Sequence, residues 1–121
     1  MTLTQFYELC LSKKGVIEGL PFDDDVLVFK IGNKIFALTS LASWENEEPS
    51  INLKYNPDRT MELRADYEDV IEGYHMSKVH WNTIYINKGV PDKLIIELLN
   101  HSFELVFSSL TKKLQSEISE L

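Results

Sequence analysis

The stretch VLVFKIGNKIFALT, Val26 to Thr39, decides the fold. Val26, Val28 and the run Phe29-Lys30-Ile31 lead into Gly32-Asn33, and Lys34-Ile35-Phe36-Ala37-Leu38-Thr39 follows. Two β-rich runs across a two-residue Gly-Asn turn predict an antiparallel hairpin. Beyond it, Ile51 and Leu53 alternate with Asn52 and Lys54, which predicts a further half-buried strand. Glu45, Glu47 and Glu48, closed by Pro49, form an acidic loop between these strands, and Asp23 to Asp25 a second acidic patch before the hairpin. Both read as solvated turns, because the spaced ligands and glycine of a calcium loop are missing.

Helical periods flank this strand region. Leu3, Phe6, Tyr7 and Cys10 make one apolar stripe, Thr2 and Gln5 fit a capping box, and Lys13, Lys14 and Gly15 supply a stop. Asn56-Pro57-Asp58 opens a short helix that carries Met61, Arg64 and Ala65 and ends near Tyr67. β-rich residues return at Val70-Ile71 and from Trp81 to Ile86. Pro91-Asp92 then starts a helix whose stripe runs from Leu94 through Leu110, Leu114 and Ile118 almost to the C-terminus. The order is helix, hairpin, strand, helix, two strands, long helix. That order predicts one α+β domain: an antiparallel sheet with helices on one face.

Composition narrows the function classes without choosing one. The 121 residues suit a single domain over the whole chain, 1–121, with a full core and no staples. Lys and Arg number 12 against 19 Asp and Glu, a net charge of −7 that opposes non-specific attraction to nucleic acid or anionic lipid. One cysteine, Cys10, excludes a disulfide framework and every CxxC motif. The N-terminus does not read as a signal peptide and no apolar run is long enough to span a membrane, so a reducing cytoplasm is the expected compartment, with no membrane partner.

One segment stands apart: Gly73-Tyr74-His75-Met76-Ser77-Lys78-Val79-His80-Trp81-Asn82-Thr83. From Gly73 to Val90 the formal charge is +2, a basic and aromatic island on an acidic chain. The segment resembles the hallmark of the MmcQ/YjbR-like family of small bacterial proteins. Matching pieces run in order: Phe29-Lys30-Ile31-Gly32, Ile51-Asn52-Leu53-Lys54, Leu63-Arg64 with Tyr67, Val90-Pro91-Asp92, and His101 to Val106. Ser77 and Val79 depart from the family's frequent asparagine and lysine, and Asp23 stands where a glycine is common. The resemblance covers almost the whole chain. It implies a CyaY-like α+β sandwich and, through two projecting hairpins, a double-winged DNA-binding protein.

Other chemistry finds little footing. His75 and His80, five apart, do not share a strand or helix face, so no zinc site is expected. No phosphate-binding glycine motif is present, and no cofactor or catalytic group is assigned. Ser77 or Ser102 near a histidine is a nucleophile only if geometry makes it one. His101 reads as a buried, hydrogen-bonded residue. Two non-enzymatic functions therefore compete. A nucleic-acid-binding module would use a basic stripe from Lys30 and Lys34 across Lys54 and Arg64 to Lys78, beside Tyr74, His75, His80, Trp81 and Asn82, with weak and salt-dependent affinity. A protein adaptor or small-ligand binder would instead need a recess near Trp81.

Overall fold

The computed structural model describes residues 1–73 and 76–121. In chain order the elements are α1 (Leu3–Leu11), β1 (Ile17–Gly19), β2 (Val26–Ile31), β3 (Lys34–Ser40), α2 (Leu41–Glu45), β4 (Ser50–Lys54), α3 (Thr60–Asp66), β5 (Val70–Glu72), β6 (Trp81–Tyr85), α4 (Asp92–Ser108) and α5 (Lys112–Ser119). Among the described residues the strands form one sheet in the order β1-β2-β3-β4-β6-β5, each neighbouring pair antiparallel. The α+β expectation holds.

The β2–β3 hairpin forms as its turn chemistry requires. Gly32 and Asn33 take φ of 56° and 65°, the doubly positive backbone of a tight primed turn. Lower down, pairing moves from Phe29–Ala37 to Lys30–Ile35, so Phe36 is the extra residue of a β-bulge. The bulge turns the consecutive residues Phe36 and Ala37 both toward the helices, where both are fully buried. It also frees the Phe36 carbonyl, which accepts a hydrogen bond from Ser102 Oγ at 2.5 Å. Ser102 in turn accepts from the Lys54 N–H at 2.9 Å, so one small hydroxyl pins α4 to two strands.

All the large helices lie on one face. Phe6 and Cys10 of α1 meet Leu27, Phe29, Phe36, Ile51, Leu53 and Ile84 of the sheet, with Ile95, Leu99 and Val106 of α4 beside them. Phe6 meets Phe29 edge-on at 5.7 Å, and Phe36 meets Phe103 at 5.3 Å. Cys10 is inside this core as predicted, and burial pushes its thiol pKa well above the usual value. The capping box at Thr2 and Gln5 is present in both directions.

Four details differ from the sequence reading, the first being the edge strand β1, which no period announced. The acidic 45–48 loop begins as the last residue of α2, a short helix without a period of its own. Asn56 does not cap α3: its Oδ1 accepts from the Asp58 N–H at 2.9 Å to make a turn, and the helix starts at Thr60. The long C-terminal helix is two helices, broken at 109–111. Thr111 Oγ1 accepts from the Leu114 N–H and caps α5. The break drops buried Leu110 onto the hairpin turn, where a Cβ built on Gly32 would lie 2.8 Å from its methyl carbons. Gly32→Ala should therefore lose about 1–2 kcal/mol, chiefly from the left-handed backbone that alanine disfavours. A thermal melt unchanged from the parent would count against this turn.

Candidate functional site

The strand registers define what lies on the face away from the helices. Gly19, Val28, Leu38, Asn52, Thr83 and Ile71 form one row across the whole sheet. Val28, Leu38 and Trp81 are buried there in a second, smaller apolar cluster, with Val26, Ile35 and Met76 packed against it. No helix covers this cluster among the described residues. A groove of about 520 Å³ runs over it, lined by Phe22, Asp25, Val26, Ile35, Leu38, Ser40, Ser50, Asn52, Met76 and Thr83. A recess of about 260 Å³, lined by Ile17 to Pro21 with Val28 and Lys30, adjoins the β1 edge. Phe22, at the rim, is 67% exposed, a high fraction for a phenylalanine.

The polar groups of the groove are held in place. Asp23 Oδ1 accepts from the N–H groups of Asp25 and Val26 at 2.9 and 2.8 Å. These bonds, Val26 first, hold the fully solvated Asp23 carboxyl below its ordinary pKa. Asp25 accepts from Ser40 Oγ at 2.5 Å and from the Ala42 N–H at 2.7 Å, fastening the loop to the start of α2. The acidic patch is thus a built corner rather than the merely solvated turn the sequence suggested. Across the groove, Thr83 Oγ1 donates to Asn52 Oδ1 at 2.5 Å.

The expected basic stripe divides: the registers put Lys30 and Lys54 on the open face, while Lys34 and Arg64 turn to the helix side. Lys34 reaches back to the end of α4, its Nζ 3.2 Å from Ser109 Oγ and 3.5 Å from the Ser109 carbonyl. Arg64 is a part-buried strut: its side chain is 13% exposed, and Nε donates to Asn82 Oδ1 at 2.7 Å. Its Nη2 donates to the Lys78 and Trp81 carbonyls. Lys78 is exposed but lies 3.4 Å from Glu72. Lys54 sits over the Trp81 ring, its Nζ 5.8 Å from the centroid, and Lys30 is half-buried at the smaller recess.

The remaining candidates divide between core and surface. Asn82 is buried on the helix side, where Thr60 Oγ1 also donates to it at 3.2 Å. Trp81 is 8% exposed and floors the open-face cluster rather than presenting a ring for stacking. His80 is exposed, and its carbonyl accepts from the Tyr55 N–H. Tyr74 and His75 lie outside the described residues. The groove residues Phe22, Asp25, Val26, Ile35, Leu38, Asn52 and Met76 were not foreseen. A signal existed: Val26-Leu27-Val28-Phe29 is apolar on both faces of a strand, and a sheet with helices on one side only must leave one of those faces uncovered.

Among the described residues, Ser102 and His101 do not form a nucleophile–base pair. Ser102 Oγ is spent on Phe36 and Lys54, and His101 Nε2 accepts from the Asn56 N–H at 3.3 Å. His101 also tilts against Tyr55 at 4.9 Å, beside Arg59 and Glu97. Burial lowers its pKa below the ordinary value of 6.5. The unfolded chain therefore binds more protons than the native one just below that value, so stability present above it is lost as pH falls toward the native pKa. Between about pH 7.5 and pH 5.5 the urea midpoint should drop more in the parent than in His101→Gln, whose side chain stays neutral. Equal drops in both would remove His101 as the titrating group.

The sequence and fold have close counterparts. The YjbR family profile matches residues 11–105. The uncharacterised protein YbdF of Escherichia coli O157:H7 is 35% identical over 113 residues, 93% of this chain and 83% of that protein. The uncharacterised protein YjbR of Escherichia coli K12 is 26% identical over 121 residues, the full length of both. Among solved structures, Deinococcus radiodurans DR2400, with a DUF419 domain, superposes with a TM-score of 0.90 at 33% identity, covering 98% of this chain and 88% of that one. A Pseudomonas syringae protein superposes with a TM-score of 0.73 at 25% identity, covering 88% of this chain and 99% of its own. From the hairpin outward, sequence, topology and relatives agree that the chain belongs to the YjbR family.

Proposed function

We propose that this protein is a non-enzymatic binding module that takes a small, largely apolar ligand in the groove over the open face of its sheet. The observation that carries this reading is the apolar lining of Phe22, Val26, Ile35, Leu38 and Met76 in a groove of about 520 Å³ on the face without helices. That volume is inside the range of about 300–1,000 Å³ typical of ligand sites. The lining has the matching character, apolar side chains with a few fixed hydrogen-bonding groups at Asp25, Ser40, Ser50 and Asn52. The nucleic-acid alternative draws less support. Lys34, Arg64 and Lys78 are engaged by Ser109, Asn82 and Glu72, and Trp81 is buried.

The test is a titration with the uncharged dye 1-aminoanthracene, whose fluorescence rises in apolar sites. Saturable one-to-one enhancement is expected, and Asn52→Phe, which fills the middle of the groove, should weaken it by about tenfold or more. Enhancement that survives Asn52→Phe unchanged would place the ligand elsewhere. Anisotropy with single-stranded and duplex oligonucleotides at about 20 mM salt, where screening is weak, tests the alternative. Binding there that Lys54→Ala and Lys78→Ala abolish would overturn the groove reading in favour of nucleic acid.

A further inference from the structure

We propose that the groove selects an amphipathic organic cation, its positive nitrogen set between the Asp25 carboxylate and the Phe22 ring and its apolar body on Val26, Ile35, Leu38 and Met76. The inference rests on the groove being a ligand site and names the class of ligand.

Asp25 is the one charged side chain among the described residues that line the groove. Its two oxygens are oriented by Ser40 Oγ and the Ala42 N–H, and each keeps a further lone pair. No lysine or arginine forms an ion pair with it among the described residues. A carboxylate fixed at the edge of an apolar groove and left without a counter-charge attracts a cation more strongly than one in open water, because the local dielectric is lower. Phe22 stands three residues away and leaves two thirds of its surface exposed at the same rim. An aromatic face beside a carboxylate is the pairing that holds alkylated ammonium groups.

The corner is also pre-ordered. Asp23 ties down the N–H groups of Asp25 and Val26, so little loop entropy remains to be lost on binding. The rest of the lining carries hydroxyls, an amide and hydrocarbon, which suits a neutral body and offers an anion no cation. The chain's net charge of −7 adds to that bias.

Three probes of equal chain length separate the contributions: n-octyltrimethylammonium, n-octanol and n-octanoate, each followed by amide NMR shifts on the full chain. The ammonium should move Val26, Leu38, Asn52 and Met76 saturably and bind about tenfold more tightly than octanol, with octanoate weakest. Asp25→Asn keeps an acceptor for the Ala42 N–H and should erase the difference between ammonium and octanol. Phe22→Leu alters a side chain outside the core, so it reports even if Asp25→Asn does not fold, and it should weaken only the ammonium. Octanol or octanoate binding as tightly as the ammonium overturns the charge selection and leaves the groove standing. If all three probes leave the groove amides unmoved, the groove reading fails as well.

Discussion

Phe29→Ala should cost about 3–5 kcal/mol, the range for truncating a buried aromatic. Phe29 is fully buried at the centre of β2. Its ring meets Phe6 at 5.7 Å and Tyr7 at 5.9 Å, so it is the surface on which α1 rests. Alanine would remove the ring from between a helix and a sheet that are each held by other contacts, and such a site collapses poorly. Because domains of this size have about 5–15 kcal/mol in total, the variant would be marginal at 37 °C. Urea unfolding is the measurement, and Trp44, stacked on Phe6 at 6.3 Å, is a convenient reporter. Phe29→Leu, which keeps much of the volume, should lose distinctly less. A Phe29→Ala midpoint within about 1 kcal/mol of the parent would mean that α1 does not depend on this contact.

What was legible in the sequence follows from what is local. Gly32-Asn33 and the Thr2/Gln5 box act over two to four residues, and both appear as written. The break between α4 and α5 was missed because Leu110, Leu114 and Ile118 keep helical spacing across it, and the period cannot register a change of direction. Tertiary contact decides it, through Leu110 against the hairpin turn and Thr111 capping the next helix. The site was harder still. Lysines, an arginine and an asparagine near aromatics attract notice as binding groups, yet their partners come from distant elements: Lys34 with Ser109, Arg64 with Asn82. The groove is built mostly from residues that read as ordinary strand core. Only the count of layers, one of helices for a sheet apolar on both sides, separates its floor from the interior.

Arg64→Ala should lose about 1–3 kcal/mol, from charge-assisted hydrogen bonds to part-buried acceptors more than from a lost ion pair. The Glu72 carboxylate is 4.0 Å away and half exposed, and contributes little. The guanidinium instead bridges α3 to the β5–β6 end of the sheet through Asn82 Oδ1, the Trp81 carbonyl at 3.2 Å and the Lys78 carbonyl. Without it, Asn82 Oδ1 retains Thr60, the Trp81 carbonyl retains the Gly73 N–H at 3.0 Å, and the Lys78 carbonyl loses its guanidinium donor. Arg64→Lys should recover little, since one ammonium cannot reproduce a planar fork directed at several acceptors. Arg64→Ala and Asn82→Ala should be strongly non-additive, because each removes the same bond. These outcomes separate a strut from a nucleic-acid contact: truncating a solvated, phosphate-seeking arginine would leave stability within about 0.5 kcal/mol of the parent and show itself in oligonucleotide affinity. A stable Arg64→Ala protein with altered oligonucleotide binding would return Arg64 to the surface where the sequence first placed it.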